Sequence, residues 1–120
     1  MSQTYGFDTL MTHAGYHGDV QTHSSTLPIY PTTAYQFDST QHAQNLFELK
    51  EGGNIYSRLQ NPTNDVLEAR ITALEGGVGA LGFSSGHAAI VNSLLNLADA
   101  GDEIVSSICI YGGAINLLGV

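Results

Sequence analysis

The junction between Val78-Gly79-Ala80-Leu81-Gly82-Phe83 and Ser84-Ser85-Gly86-His87-Ala88-Ala89 constrains this chain more than any other stretch. A small-residue apolar run there meets an apolar helix through a turn. The first backbone N–H groups of that helix have no intrahelical acceptor and carry the positive end of its dipole. Such a turn suits an anion at Ser85 to His87, phosphate above all, although a tight packing turn would use the same small residues. The residues that follow sharpen the reading. The helical pattern Ala88, Ile90, Val91, Leu94, Leu95, Leu97 stops at Ala100-Gly101-Asp102, and the β-branched run 104–110 leads into Tyr111-Gly112-Gly113. The order strand, helix, strand predicts a βαβ unit. With both strands parallel in one sheet, the serine-glycine turn and Tyr111 emerge together at the strands' C-terminal edge, where open α/β sheets bind ligands.

Upstream, residues 1 to 27 are rich in Gly, His, Thr and Ser without periodicity and read as an irregular arm. Pro28 to Phe37 favours extended backbone, but Pro28 and Pro31 argue for an edge or coil rather than a central strand. Ser39 and Thr40 offer capping hydroxyls to a short helix through Ala43, Leu46, Phe47 and Leu49, with Lys50 as a helix-end cation before Gly52-Gly53. A better-marked helix has Asn61 as its cap, Pro62 in its first turn, Leu67, Ile71 and Leu74 on one face, and Gly76-Gly77 at its end. The strand Val78 to Phe83 follows at once.

Charge and composition exclude several function classes. Three basic against eleven acidic residues give a net charge of −8, which disfavours nucleic acid and anionic membrane as partners. The single cysteine, Cys109, rules out an intrachain disulfide and a cysteine metal cluster, and its apolar surroundings in the sequence predict a small core residue. The start 1–6 has no basic region or apolar core, and no apolar run approaches a membrane span, so a cytoplasmic location is expected. His13 and His17, with Asp19 and His23 nearby, invite a metal reading. Gly15 and Gly18 interrupt any helix that would align the pair. Ser84 and Ser85 lack the Gly-x-Ser-x-Gly elbow of a hydrolase nucleophile.

Tyr56-Ser57-Arg58 places a phenol beside one of the few basic residues. The guanidinium fork and the hydroxyl match phosphate oxygens, while a surface pairing of Arg58 with a nearby carboxylate competes. The ordered set is far more specific than its parts. Tyr56-Ser57-Arg58, Asn61-Pro62-Thr63, Leu74-Glu75-Gly76-Gly77, Ser84 to Ile90, Gly101 to Val105 and Tyr111-Gly112-Gly113 together resemble the Cys/Met-metabolism family of pyridoxal 5′-phosphate enzymes. The resemblance extends into the arm, through Phe7-Asp8-Thr9-Leu10, His13-Ala14-Gly15 and Pro28-Ile29-Tyr30. Within the family, His42-Ala43, Leu46 to Leu49 and Gly53 to Tyr56 are most similar to the O-acetylhomoserine sulfhydrylase branch.

That resemblance implies an α/β fold of the fold type I, aspartate aminotransferase-like class. Residues 1–55 would form an N-terminal arm with a short helix, and residues 56–120 the start of the large cofactor-binding domain, left incomplete. It implies pyridoxal 5′-phosphate held by Tyr56, Arg58, Ser85, Gly86, His87 and Tyr111, with Tyr111 and Tyr56 as catalytic side chains. Ser85, Gly86 and His87 would supply N–H groups to the phosphate and Tyr111 would stack on the pyridine ring. His87 stands where the family often has Met or Gln, so a backbone role is expected and its side chain is left open. Tyr56 and Arg58 would reach a neighbouring subunit's phosphate, which implies a homo-oligomer, a dimer of dimers. The expected substrates are an amino acid and sulfide, in a γ-replacement that yields homocysteine. Cystathionine γ-synthase or methionine γ-lyase chemistry, or a non-catalytic remnant, are the alternatives. The lysine that binds the cofactor and the acid that faces its ring nitrogen are expected beyond Val120, and Lys50 is no substitute.

Overall fold

The computed structural model describes residues 5–119. They form two compact units, one ending at Leu81 and one beginning at Gly82. The opening residues 1–4, where no leader signal was read, and Val120 lie outside the described residues. Five helices are present among the described residues: α1 (Phe7–His13), α2 (Thr40–Phe47), α3 (Pro62–Glu75), α4 (Gly86–Leu97) and α5 (Gly112–Leu117).

The first unit is built on α3. Asn61 caps it through the Thr63 N–H, Pro62 occupies the first turn, and Gly76 ends it in the left-handed region at φ 64°. Against α3 packs α1, a helix that the arm reading did not anticipate. Its own residues explain it poorly: no side chain of α1 is buried and no side chain caps it. What holds it is docking. Gly15, at φ 78°, brings the end of α1 so close to α3 that an added Cβ would lie 2.7 Å from the Val66 carbonyl oxygen, and Arg70 Nε donates to the Ala14 carbonyl at 2.9 Å. Further along, the Tyr16 hydroxyl lies 2.8 Å from the Ser24 carbonyl and ties the loop together.

Residues 28–37 form no helix and no regular strand, and they bridge antiparallel to Tyr56 through Ala34. Ser39 caps α2, which stops at Phe47, short of the Leu49 expected from the pattern. Leu49 has turned to φ 56° and Lys50 pairs with Glu48 at 2.5 Å. The one strongly buried side chain of α2, Leu46, lies under Gly53, where a Cβ would come within 2.9 Å of its methyl group.

The second unit has α4, capped by Ser85, packed on α5. The two strands expected on either side of α4 are not laddered among the described residues. Neither 78–83 nor 104–106 is assigned as strand, and a turn begins at Ser107. A strand is completed by a neighbour that accepts and donates its backbone hydrogen bonds in a regular ladder, and the bridge present among the described residues is the isolated pair Ala34 and Tyr56. Their side chains are correspondingly open: Val78, Val105 and Ile108 are exposed, and so is Cys109, which corrects its reading as a core residue.

Candidate functional site

In the second unit, the turn into α4 gathers its donors as the sequence suggests. Ser85 Oγ accepts the Ala88 N–H at 3.1 Å, and the Ser85 carbonyl accepts that of Ala89 at 3.1 Å. The Gly86 and His87 N–H groups stand at the first two helical positions, which have no intrahelical acceptor, and the Ser85 hydroxyl still has its proton to give. Ser85, Gly86 and His87 are all exposed. The Tyr111 ring lies beside them, 71% exposed and in edge contact with the His87 imidazole at 6.3 Å between centroids.

The space beside that ring depends on Gly113. A Cβ there would fall 2.5 Å from Tyr111 Cε1 and 3.0 Å from His87 Cε1. The paired glycines after Tyr111 were the available signal for this close approach, which sequence reasoning left unused. These groups suit a phosphorylated aromatic ligand: unpaired N–H donors and a hydroxyl for the phosphate, and a ring for the aromatic part. On that test the residues fit pyridoxal 5′-phosphate.

Tyr56 and Arg58 lie in the first unit. Arg58 Cζ sits 5.0 Å from the centroid of the Tyr56 ring, a cation–π contact that keeps phenol and guanidinium together. Tyr56 is half-buried, Arg58 is exposed, and Arg58 forms no ion pair with a carboxylate among the described residues. The competing surface-pair reading of Arg58 therefore finds no partner there. The turn they occupy closes through the Tyr56 carbonyl, which accepts the Leu59 and Gln60 N–H groups at 2.8 and 3.0 Å.

Clefts also lie away from these residues. One of about 450 Å³ in the second unit is lined by Ile104, Ile108, Ile110, Ile115 and Leu118, and none of the six candidate residues borders it. Another, of about 510 Å³ in the first unit, is bordered by Tyr16, Asp19, Tyr30 and Asp65. Hydrogen bonds from the Thr22 hydroxyl and N–H hold the Asp19 carboxyl below its ordinary value. Desolvation and then the Glu68 charge push Asp65 above its own, with a backbone hydrogen bond opposing.

A family model for Cys/Met metabolism PLP-dependent enzymes matches residues 8–120. Over 110 residues the chain is 59% identical to O-acetyl-L-homoserine sulfhydrylase 1 of Thermus thermophilus, covering 92% of this chain and 26% of that protein. Among solved structures, it superposes with TM-score 0.87 and 45% identity on a Campylobacter jejuni protein described as an O-acetylhomoserine (thiol)-lyase, covering 94% of this chain and 28% of that one. That structure contains a pyridoxyl-lysine monophosphate. A cystathionine gamma lyase from Micromonospora echinospora superposes with TM-score 0.80 at 30% identity, covering 96% of this chain and 28% of that one. The chain thus spans about a quarter of the length of its relatives. Its fold is the matching part of a fold type I α/β enzyme, whose sheet is not laddered among the described residues. No helix of the described residues is long and apolar enough to cross a membrane.

Proposed function

The chain belongs to the Cys/Met metabolism PLP-dependent enzyme family, and from that premise we propose that the complete enzyme, of which this chain spans about a quarter of the family's length, carries out γ-replacement on O-acetyl-L-homoserine, while the 120 residues alone are inactive. In this reaction the γ-carbon–oxygen bond breaks and acetate leaves. A carbon–sulfur bond to sulfide forms, and the product is L-homocysteine. The supporting observation is the 59% identity to a sulfhydrylase across 92% of the chain, against 30% to a cystathionine gamma lyase.

Pyridoxal 5′-phosphate, when bound, supplies the electron sink that makes the γ-position reactive. The residues of this chain bind and orient. Gly86 and His87 N–H groups and the Ser85 hydroxyl hold phosphate oxygens, and Tyr111 packs against the ring. Arg58 and Tyr56 add a charge-assisted fork and a phenol to the phosphate of a neighbouring copy, so the assembly is a homo-oligomer, a dimer of dimers. Tyr111 and Tyr56 are the catalytic side chains, each with an O–H able to hold a proton beside the reacting atoms. The cofactor-binding lysine and the acid facing the ring nitrogen belong to the family's length outside this span, and the setting is cytoplasmic.

Parallel assays of homocysteine, pyruvate and α-ketobutyrate formation test the reading. Homocysteine from O-acetylhomoserine and sulfide should dominate in kcat/KM. Dominant α-ketobutyrate from methionine would place the protein among the γ-lyases.

A further inference from the structure

Asn61 is the buried polar side chain among the described residues, 7% exposed, and it uses both ends of its amide. Its Oδ1 accepts the Thr63 N–H at 2.9 Å, the bond that caps α3. Its Nδ2 donates to the Tyr30 carbonyl at 2.9 Å and to Ser57 Oγ at 3.0 Å. A cap needs only the oxygen. Both donor hydrogens are therefore spent on something else: the extended arm and the segment Tyr56-Ser57-Arg58.

Ser57 is the centre of that segment and is anchored from three sides. Its hydroxyl donates to the Thr32 carbonyl, its N–H donates to the Thr33 carbonyl at 2.9 Å, and its Oγ receives the Asn61 amide. With the Ser57 side chain committed to the arm and to Asn61, its two neighbours come together elsewhere, the Arg58 guanidinium carbon 5.0 Å from the centre of the Tyr56 ring. Thr63 strengthens the same joint, its hydroxyl accepting the Tyr30 N–H at 3.0 Å.

We propose that Asn61 is a positioning residue for anion binding: by fixing Ser57 it presents Tyr56 and Arg58 as one preorganised clamp for a phosphate ester. The inference rests on the reading of Arg58 as a cofactor-phosphate ligand. Asn61 touches no ligand itself, and its effect passes through Arg58 and Tyr56. Serine at position 61 keeps a cap acceptor for α3 but is too short to reach both Tyr30 and Ser57, so it separates the helix cap from the clamp.

Apo-protein is titrated with pyridoxal 5′-phosphate and, separately, with pyridoxal, which lacks the phosphate. The proteins are wild type, Arg58→Ala, Asn61→Ser and the double variant. Arg58→Ala and Asn61→Ser should each weaken pyridoxal 5′-phosphate about tenfold or more and leave pyridoxal within about twofold. The double variant should lose clearly less than the two single losses multiplied together, because both substitutions act on one clamp. Equal loss of both ligands in Asn61→Ser would show a structural role only and overturn the proposal. So would an unchanged ratio in Asn61→Ser beside a lowered one in Arg58→Ala. An unchanged ratio in Arg58→Ala would instead remove the phosphate reading of Arg58, and this inference with it. Should Asn61→Ser fail to fold, Ser57→Ala leaves the cap and the Tyr30 bond in place. It must then show the same selective loss, and its absence counts against the clamp.

Discussion

The His87 imidazole meets the Tyr111 ring edge-on, with centroids 6.3 Å apart and ring planes at 79°. A residue whose expected contribution was a backbone N–H thus also touches the aromatic side chain proposed to stack on the cofactor. The contact ties the start of α4 to the residue before α5. An edge-to-face arrangement of this kind is worth roughly 0.5–1.5 kcal/mol beyond its buried area when well packed, and less at an exposure of 71% for Tyr111.

Gly113→Ala should break that contact without harming α5. The new methyl would lie 2.5 Å from Tyr111 Cε1, so the exposed Tyr111 ring must swing away. Alanine meanwhile favours the helix over glycine by up to about 0.5–1 kcal/mol. Nuclear Overhauser contacts between His87 and Tyr111 should vanish while the melting temperature holds or rises. Persistence of those contacts in the variant would show that the ring does not depend on Gly113.

Gly15→Ala should undock α1 from α3. Alanine at φ 78° is strained by about 1–2 kcal/mol, and its methyl would meet the Val66 carbonyl and the Ala69 Cβ at 2.7 and 2.9 Å, backbone and rigid atoms that cannot step aside. Gly18→Ala is the control, since its φ of 89° imposes a similar strain with nothing within 4 Å. Amide exchange across Phe7–His13 should accelerate far more in Gly15→Ala than in Gly18→Ala. Equal acceleration would reduce the role of Gly15 to its backbone angle.

The loop closed by Asp19 should loosen in acid. Its carboxyl accepts the Thr22 hydroxyl and N–H, both at 2.6 Å, and these bonds hold it below its ordinary value. A carboxyl depressed in the folded state supports that state above its ordinary titration range, and this support is lost as pH falls through the depressed value. Asp65 works in the opposite sense: its raised value means that protonation on acidification relieves a buried charge. Exchange protection of the Thr22 amide should fall below roughly pH 4, and Asp19→Asn, which leaves an acceptor that does not titrate, should abolish most of the pH dependence. Protection that is flat through that range would remove Asp19 as the cause.

How far the sequence could be read follows from where each element gets its support. The ends of α3 and the cap of α4 were legible because Asn61, Pro62, Gly76 and Ser85 act on their own helix termini. α1 was not legible, because its support comes from Val66, Ala69 and Arg70, more than fifty residues away along the chain. The two β-branched or small-residue runs carried a strand pattern, but a pattern does not supply the partner that a ladder requires, and Val78 and Val105 stand exposed. The turn at Ser85 and the pair Tyr56 and Arg58 were open candidates on chemistry alone, and the ordered set of motifs that resembles the family singled them out. The second half of the Asn61 amide was hidden, since no local spacing reveals a bond to the Tyr30 carbonyl.

Ser85 offers a separation of stability from ligand binding. Its Oγ accepts the Ala88 N–H at 3.1 Å, so Ser85→Ala should cost about 0.5–2 kcal/mol through the lost cap. Ser85→Asp retains a cap acceptor and puts a negative charge at the positive end of the helix dipole, worth about 0.3–1 kcal/mol in favour of α4. Its melting temperature should therefore equal or exceed that of the wild type. The same charge removes a hydroxyl donor and stands where a phosphate would accept the Gly86 and His87 N–H groups. Ser85→Asp should bind pyridoxal 5′-phosphate more weakly than Ser85→Ala does, reversing the order of the two variants in stability, while pyridoxal distinguishes them little. A Ser85→Asp protein that binds the phosphorylated ligand as tightly as wild type would show that the anion does not sit at this helix start.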